Sequence, residues 1–154
     1  MMIPTIFFVL LCVFLTSAST QSVGVQGQLM CGETPLTDVE VELWEMTVIP
    51  EPDFLIATVK TDSQGYFRVS GSGSTLFILK PALRIYHRCN NDGFLGIPNL
   101  CQREVTYEIP SSYVTDGSNV NSWYQLGTVN LQAKQPNEQS HCVDNPIRDI
   151  FGRR

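Results

Sequence analysis

Residues 83–89 read Leu83-Arg84-Ile85-Tyr86-His87-Arg88-Cys89, and their polarity alternates from one residue to the next. A period of two is typical of a β-strand that buries one face and leaves the other in water. Pro81 precedes the stretch, and the turn-forming run 90–93 follows it. The pattern predicts a strand whose buried face carries Leu83, Ile85, His87 and Cys89.

The same period recurs in short segments along most of the chain. Strands are predicted at residues 23–31, 39–45, 55–60, 66–69, 76–79, 103–109 and 123–131. A phase slip at Gly127 indicates a β-bulge in the last of these strands. Because no long segment shows a period of 3.6, the sequence predicts an all-β sandwich of seven to eight strands.

The connections between these segments carry turn signals. Gly65 closes the turn 62–65 and is expected to supply the positive φ of a tight hairpin. Residues 71–74 are predicted to form a loop, and residues 110–114 a single helical turn. Trp44 is expected on a wet strand face with Glu40 and Glu42, covered by a loop rather than open to a partner.

The amino terminus has the composition of a targeting signal. Residues 6–15 are uninterruptedly apolar, small residues follow at 17–19, and no charge precedes Glu33. This pattern predicts a signal peptide, residues 1–18, removed after Ala18. A membrane anchor is the alternative, but the run is shorter than the roughly 20 apolar residues that span a bilayer. We expect one domain at residues 19–142, a disordered tail at 143–154, and no transmembrane segment in the mature chain.

The charge balance argues against one class of partner. The formal net charge is −5 at pH 7, and nucleic-acid phosphates require a basic face. Acidic residues dominate the stretch before Lys60, but they lack the ligand spacing of an EF-hand. We interpret them as a solvated sheet face.

Cysteine usage fits an oxidising compartment. Of five cysteines, Cys12 lies in the predicted signal peptide, and an even number remains in the mature chain. Two disulfides are expected in a secreted protein, with three connectivities open. These cysteines are Cys31, Cys89, Cys101 and Cys142.

Neither a metal centre nor a catalytic site is predicted. His87 and His141 could bind zinc together with neighbouring cysteines, but oxidised cysteines are lost as ligands, so we expect no metal and no cofactor. His87 is instead expected to be buried with a hydrogen-bond partner. No serine lies in a Gly-x-Ser-x-Gly elbow and neither histidine has a catalytic motif around it, so the chain is predicted not to be an enzyme.

An ordered set of short motifs resembles the nematode transthyretin-like family over about residues 23–142. The motifs are Gly27-Gln28-Leu29-Met30-Cys31, Val41-Glu42-Leu43-Trp44-Glu45, Thr61-Asp62-Ser63-Gln64-Gly65-Tyr66-Phe67, Pro81-Ala82-Leu83-Arg84-Ile85-Tyr86-His87-Arg88-Cys89, Ile109-Pro110-Ser111-Ser112-Tyr113-Val114 and Leu126-Gly127-Thr128-Val129-Asn130-Leu131. The resemblance implies a transthyretin-like (prealbumin-like) Greek-key sandwich of two four-stranded sheets and an extracellular role. Within such a sandwich we predict the bridges Cys89–Cys101 and Cys31–Cys142.

The resemblance leaves several functions open. The transthyretin fold also hosts a hydrolase of 5-hydroxyisourate, but that family's C-terminal Tyr-Arg-Gly-Ser is missing, since this chain ends Ile150-Phe151-Gly152-Arg153-Arg154. The terminal Gly-Arg-Arg also resembles a peptide-processing signal, so a peptide precursor is a further alternative. We expect a secreted, extracellular binding protein that carries a small apolar ligand or acts as an adaptor to a cell-surface or host partner.

The loop 90–100 is the predicted partner-binding segment. It gathers apolar residues where the strand alternation has stopped, and clustered exposed apolar surface tends to mark an interaction site. The alternative is that one or two of them fold back onto the sandwich. The predicted contact residues are Phe94, Leu95, Ile97 and Leu100. Whether they meet a protein, a lipid or a small apolar ligand stays open, as does the oligomeric state.

Overall fold

The computed structural model describes residues 18–47, 52–75, 78–91 and 101–142. These residues form ten strands and one 3-10 turn, Ser111–Tyr113. The strands are β1 (Ser19–Cys31), β2 (Thr34–Pro35), β3 (Glu40–Glu45), β4 (Phe54–Lys60), β5 (Tyr66–Thr75), β6 (Pro81–His87), β7 (Cys101–Glu108), β8 (Thr115–Asp116), β9 (Trp123–Asn130) and β10 (Glu138–Cys142). The 3-10 turn confirms the helical turn predicted at residues 110–114.

The first sheet is built around β1. Strand β5 pairs with it antiparallel from Ser19↔Thr75 to Gln28↔Tyr66, and β9 pairs with it in parallel on the other side. The short strands β2 and β8 add two residue pairs each. The β1–β9 register shifts between Gln26 and Gly27, where Gly127 has a φ of 78°. This confirms the β-bulge predicted at Gly127.

The second sheet has the order β10-β7-β6-β3-β4, with every pair antiparallel. Its central strand, β6, is the alternating stretch that predicted the fold. The four side chains on its predicted inner face are all buried: Leu83, Ile85, His87 and Cys89. Arg84 and Tyr86 point the other way and are half-buried.

The hydrophobic core lies between the two sheets. Val23, Val25 and Leu29 of β1 are fully buried in one cluster with residues of the opposite sheet, namely Val41, Leu43, Leu83, Ile85 and Val105. Burying a side chain of this size contributes about 1.5–3 kcal/mol. The predicted all-β sandwich is confirmed, and its described residues form ten strands in two five-stranded sheets rather than the seven to eight strands expected.

Besides the two-residue strands β2 and β8, which were not predicted, three segments differ from the prediction. Residues 71–74, predicted as a loop, belong to β5 because the long β1 supplies backbone partners for them. Residues 78–79, predicted in a strand, lie outside any strand, and the Leu79 amide donates to the Gln21 side chain at 2.8 Å. Strand β10 was not predicted, since its sequence Glu-Gln-Ser-His-Cys has no apolar alternation. It gives the second sheet a fifth strand.

The predicted disulfide pairing is wrong. The bridges are Cys31–Cys89 and Cys101–Cys142, so all four cysteines are bonded but to other partners. After β6 the chain turns out of the sheet: Asn90 has a φ of 50°, and the Asn91 amide donates to the Arg88 carbonyl at 3.2 Å. This turn directs Cys89 into the core, towards the end of β1. Cys101 instead lies directly opposite Cys142 in the β7–β10 register.

The predicted signal peptide and tail lie largely outside the described residues, as does the loop 92–100. Their boundaries therefore stay predictions. Within the ranges that are described, no helix is long and apolar enough to cross a membrane.

Candidate functional site: the outer face of the second sheet

The four predicted contact residues, Phe94, Leu95, Ile97 and Leu100, lie outside the described residues. Their role in binding a partner stays a prediction.

His87 is enclosed rather than presented to solvent. Its exposed fraction is 2%, and within the described ranges neither Nδ1 nor Nε2 has a hydrogen-bond partner. Burial, and then the positive charge of Arg103, lower the His87 pKa to about 4. The prediction of a buried histidine is confirmed, whereas the predicted hydrogen-bond partner is wrong within this part of the chain. Arg103 lies opposite His87 in the β6–β7 register. Its guanidinium has only hydrogen-bond donors, so it cannot accept the ring N–H of His87.

The outward side chains of the second sheet form a continuous surface, called here the outer face. Register places Tyr86 of β6 between Glu40 of β3 and Glu104 of β7 in one cross-strand row. Glu42 and Arg84 lie opposite each other in the next row. The outer face consists of Glu40, Glu42, Trp44, Arg84, Tyr86, Glu104 and His141, which help to line a concavity of about 650 Å³.

Trp44 is fixed in this surface by two neighbours. The Arg84 guanidinium carbon lies 4.5 Å from the centroid of the Trp44 ring, within the range of a cation–π interaction. The Trp44 Nε1 donates to Glu42 Oε2 at 2.7 Å. Arg84 also forms an ion pair with Asp53, so the guanidinium is held between an aromatic ring and a carboxylate.

Tyr86 occupies the centre of the outer face. Its ring meets the His141 ring edge-on at 5.0 Å between centroids, and His141 Nδ1 lies 3.2 Å from Glu104 Oε2. Burial raises the pKa of Tyr86, and the negative charges of Glu42 and Glu104 raise it further, as does a side-chain hydrogen bond with Glu42. The phenol is therefore in a region of negative potential.

The lysine and the arginine that line this concavity are already matched by other acids. Lys60 pairs with Asp38 at 3.0 Å and Arg84 pairs with Asp53. Glu40, Glu42 and Glu104 form no ion pair with lysine or arginine within the described ranges. The outer face combines two aromatic rings with an excess of negative charge.

A second concavity, of about 490 Å³, lies on the first sheet. Four of its polar side chains bond in pairs: Gln26 Nε2 donates to Gln125 Oε1 at 2.9 Å, and Thr128 donates to Gln28 Oε1 at 3.1 Å. Because these groups already satisfy each other, they offer less to a partner than the carboxylates of the outer face.

The sequence model of the transthyretin-like family matches residues 26–110. This chain belongs to the transthyretin-like family. Transthyretin-like protein 33 of Caenorhabditis elegans is 38% identical over 136 residues, which are 88% of this chain and 92% of that protein. Transthyretin-like protein 5 of the same nematode is 36% identical over 139 residues, covering 88% and 96%. Among solved structures, (S)-allantoin synthase superposes with a TM-score of 0.44 at 14% identity, over 88% of this chain and 48% of that chain; a similarity this low carries no argument.

Part of the outer face was visible in the sequence. The alternation placed Trp44 with two glutamates on one wet strand face, and Arg84 with Tyr86 on another. It did not show that these strands are neighbours, and it missed His141 because β10 was not predicted. The strand order was the missing information.

Proposed function

We propose that this chain is a secreted, extracellular binding protein that acts as an adaptor to a cell-surface or other extracellular partner. The observation that carries the proposal is the concave outer face, where Trp44 and Tyr86 lie beside three glutamates without lysine or arginine partners in the described part. Aromatic anchors beside polar groups are typical of protein–protein contact surfaces. Secretion is supported by the apolar amino-terminal run and by the two disulfides.

The loop 90–100 is a second proposed contact, for which the sequence alone provides support. Replacing Phe94 and Leu95 together by serine tests it. Retained folding, followed by circular dichroism, with loss of partner capture would support a contact role, whereas early melting would show that these side chains belong to the core.

Carriage of a small apolar ligand has one specific feature in its favour. An apolar groove of about 730 Å³ lies at the end of the sandwich, lined in part by Met46, Pro81 and Ile109. Ile78 borders it with 64% of its surface exposed. Native mass spectrometry of the secreted protein would detect a retained lipid or other apolar molecule.

We also propose that the chain acts without catalysing a reaction. The supporting observation is the enclosure of His87, which lies on the core side of β6 and offers neither ring nitrogen to solvent. Incubating the mature protein with 5-hydroxyisourate tests this proposal. Turnover well above the buffer rate that is lost in His87→Ala would contradict it.

The adaptor proposal is tested by cell binding. The mature chain is produced through a secretory pathway, labelled with a fluorophore and titrated onto dissociated nematode cells. Trp44→Ala should weaken binding at least tenfold, because truncating a central aromatic anchor typically costs about 2 kcal/mol or more. Tyr66→Ala is the matched control, since Tyr66 is 50% exposed on a strand of the other sheet.

Melting curves by circular dichroism must show that both variants fold. Undiminished cell binding by a folded Trp44→Ala protein would reject the outer face as the adaptor surface. Edman sequencing of the secreted protein checks the predicted maturation, with Ser19 expected as the first residue.

A further inference from the structure

We infer that the outer face binds a basic segment of a partner polypeptide, with its lysine or arginine side chains directed at Glu40, Glu42 and Glu104. This inference deepens the adaptor function proposed above and rests on it. Three features of the outer face support it: its negative charge, the contacts that Arg84 makes with an aromatic ring and a carboxylate, and the spacing of the glutamates.

Charge complementarity is the first feature. The cations Lys60 and Arg84 are each paired with an aspartate. Within the described ranges the three glutamates therefore form no ion pair with lysine or arginine, and their contact with a basic side chain is that of Glu104 with His141. Arg88 follows the end of β6 and does not line the concavity. A polycation would gain from this field, and opposite potentials favour both encounter and register.

The contacts of Arg84 show how this surface binds a guanidinium group. Arg84 lies over the Trp44 ring, and an acid, Asp53, pairs with it. Tyr86 offers a comparable combination of ring and carboxylates, since it lies between Glu40 and Glu104 in the cross-strand row. No lysine or arginine in the described part forms an ion pair with those two glutamates. A partner's arginine could therefore bind at Tyr86 as Arg84 does at Trp44.

The spacing of the carboxylates favours a polypeptide over a single small amine. Glu40 and Glu104 are on strands that flank β6, which separates their backbones by about 10 Å at the usual strand spacing. Two basic side chains of one segment can each pair with one of these carboxylates, whereas a small amine with a single ammonium group offers only one charge to the pair. The partner chemistry is therefore that of a lysine- or arginine-rich stretch.

The test uses a fluorescein-labelled hexa-arginine peptide titrated with the full mature chain, followed by fluorescence anisotropy. Binding is expected to weaken at least tenfold in Glu40→Gln/Glu104→Gln. The matched control is Glu33→Gln/Asp116→Asn, which removes the same charge at exposed positions away from the outer face, and its affinity should change less than threefold. Raising the salt from 50 to 200 mM should weaken binding, while labelled hexaglutamate should not bind.

Several outcomes would overturn the inference. They are absence of hexa-arginine binding, equal losses in the two double variants, and spermine binding as tightly as hexa-arginine with the same dependence on Glu40 and Glu104. Tighter peptide binding by Arg153→Gln/Arg154→Gln would also overturn it, since the chain's own terminus would then be the occupant. The single variant Glu40→Lys, at an exposed position, serves if the double variant fails to fold. It makes the same change in charge and should also weaken peptide binding at least tenfold.

The two proposals can fail separately. If hexa-arginine does not bind but Trp44→Ala still abolishes cell binding, the adaptor function stands and the partner is not basic. If the peptide binds at the outer face but the labelled protein does not bind cells, the adaptor function is rejected, whereas the affinity of the outer face for a basic peptide is retained.

Discussion

Cys31 and Cys89 link the two sheets of the sandwich, with their Cα atoms 5.7 Å apart. Cys31 ends β1 in the first sheet, and Cys89 lies in the turn after β6 of the second, with 5% of its surface exposed. The Cys101–Cys142 bridge instead joins neighbouring strands of one sheet, β7 and β10, and Cys142 is exposed. One bridge therefore belongs to the core and the other to a sheet edge.

We predict that the native protein loses Cys101–Cys142 first under mild reduction. A reductant must reach the sulfur atoms, and the edge bridge is the more accessible of the two. Timed reduction with a phosphine, alkylation and peptide mapping would give the order. Faster loss of Cys31–Cys89, or mapped peptides that join Cys89 to Cys101, would contradict the structure.

Removing either bridge should destabilise the protein. The sequence separations are 58 and 41 residues, for which the loop-closure model gives about 4 kcal/mol in each case. Cys31→Ala/Cys89→Ala should lower the free energy of unfolding more than Cys101→Ala/Cys142→Ala does, because it also leaves a cavity in the core. Urea denaturation of the two double variants measures the difference, and equal losses would show that packing around Cys89 adds nothing.

His87 should make the stability depend on pH. The pKa of His87 is about 4 in the folded protein, against an ordinary value of 6.5. Between pH 6.5 and pH 4 the unfolded chain is therefore protonated at His87, whereas the folded chain is not. Stability is therefore full above pH 6.5 and declines as the pH falls towards 4, by about 3 kcal/mol in total. Urea denaturation at intervals between pH 7.5 and 4 measures this slope.

Two substitutions at His87 separate its charge from its packing. His87→Leu should remove the His87 part of the pH slope without loss of stability at pH 7, because it replaces nitrogens that lack partners with an apolar group of similar size. His87→Ala should also remove the slope, but it should lower the melting temperature by leaving a cavity. An unchanged slope in His87→Leu would assign the pH dependence to other groups.

The fold could be predicted from local patterns because the alternation of apolar and polar residues within a strand indicates which of its faces is buried. In β6 the alternation of residues 83–89 identified a strand and its core residues without any knowledge of its neighbours. Strand β10 could not be found this way, since its polar sequence forms a strand only against β7. The disulfide pairing failed for the same reason. It depends on the turn at Asn90, which takes Cys89 out of the β6–β7 register, and no local period reports that turn.

The outer face was predictable in its parts and not in its assembly. Exposure of Trp44, Arg84 and Tyr86 followed from alternation, but their proximity follows from the order of β3, β6 and β7. Charged side chains on separate strands form one negatively charged surface only when the strand register brings them together, as it does for Glu40 and Glu104 on either side of Tyr86.

Two glycines with the same φ should differ in their tolerance of a side chain. Gly65 and Gly127 both have a φ of 78°, so alanine is strained at either position by about 1 kcal/mol. A Cβ at Gly127 would meet nothing within 4 Å, whereas one at Gly65 would overlap the Leu29 carbonyl oxygen. We expect Gly127→Ala to lower the free energy of unfolding by about 1 kcal/mol, and Gly65→Ala by about 2–4 kcal/mol. Thermal denaturation compares them, and a similar loss in both would show that the turn at Gly65 yields to the added methyl group.

Arg103 and Glu138 form an ion pair with little side-chain exposure that fastens β10 to the sandwich. The guanidinium meets both carboxylate oxygens at 2.6 Å, and its Nη1 also donates to the carbonyls of Cys89 and Leu131 at 2.6 and 3.0 Å. The exposed fractions of the two side chains are only 11% and 6%. Arg103 thus bonds to the turn after β6, the segment after β9 and the start of β10.

We predict that Arg103→Met lowers the free energy of unfolding by about 3 kcal/mol, because it leaves the poorly exposed Glu138 carboxylate without its partner. The hydrogen bond from Arg103 lowers the pKa of Glu138, so the pair's contribution is present above the ordinary value of 4.5 and is lost as the pH falls below it. Lys60→Met is the control, since it breaks the Lys60–Asp38 pair, whose side chains are 57% and 78% exposed, and should change stability by less than about 1 kcal/mol. Urea denaturation at pH 7 and pH 4 measures both variants, and equal effects of the two substitutions would show that Arg103 does not fasten β10.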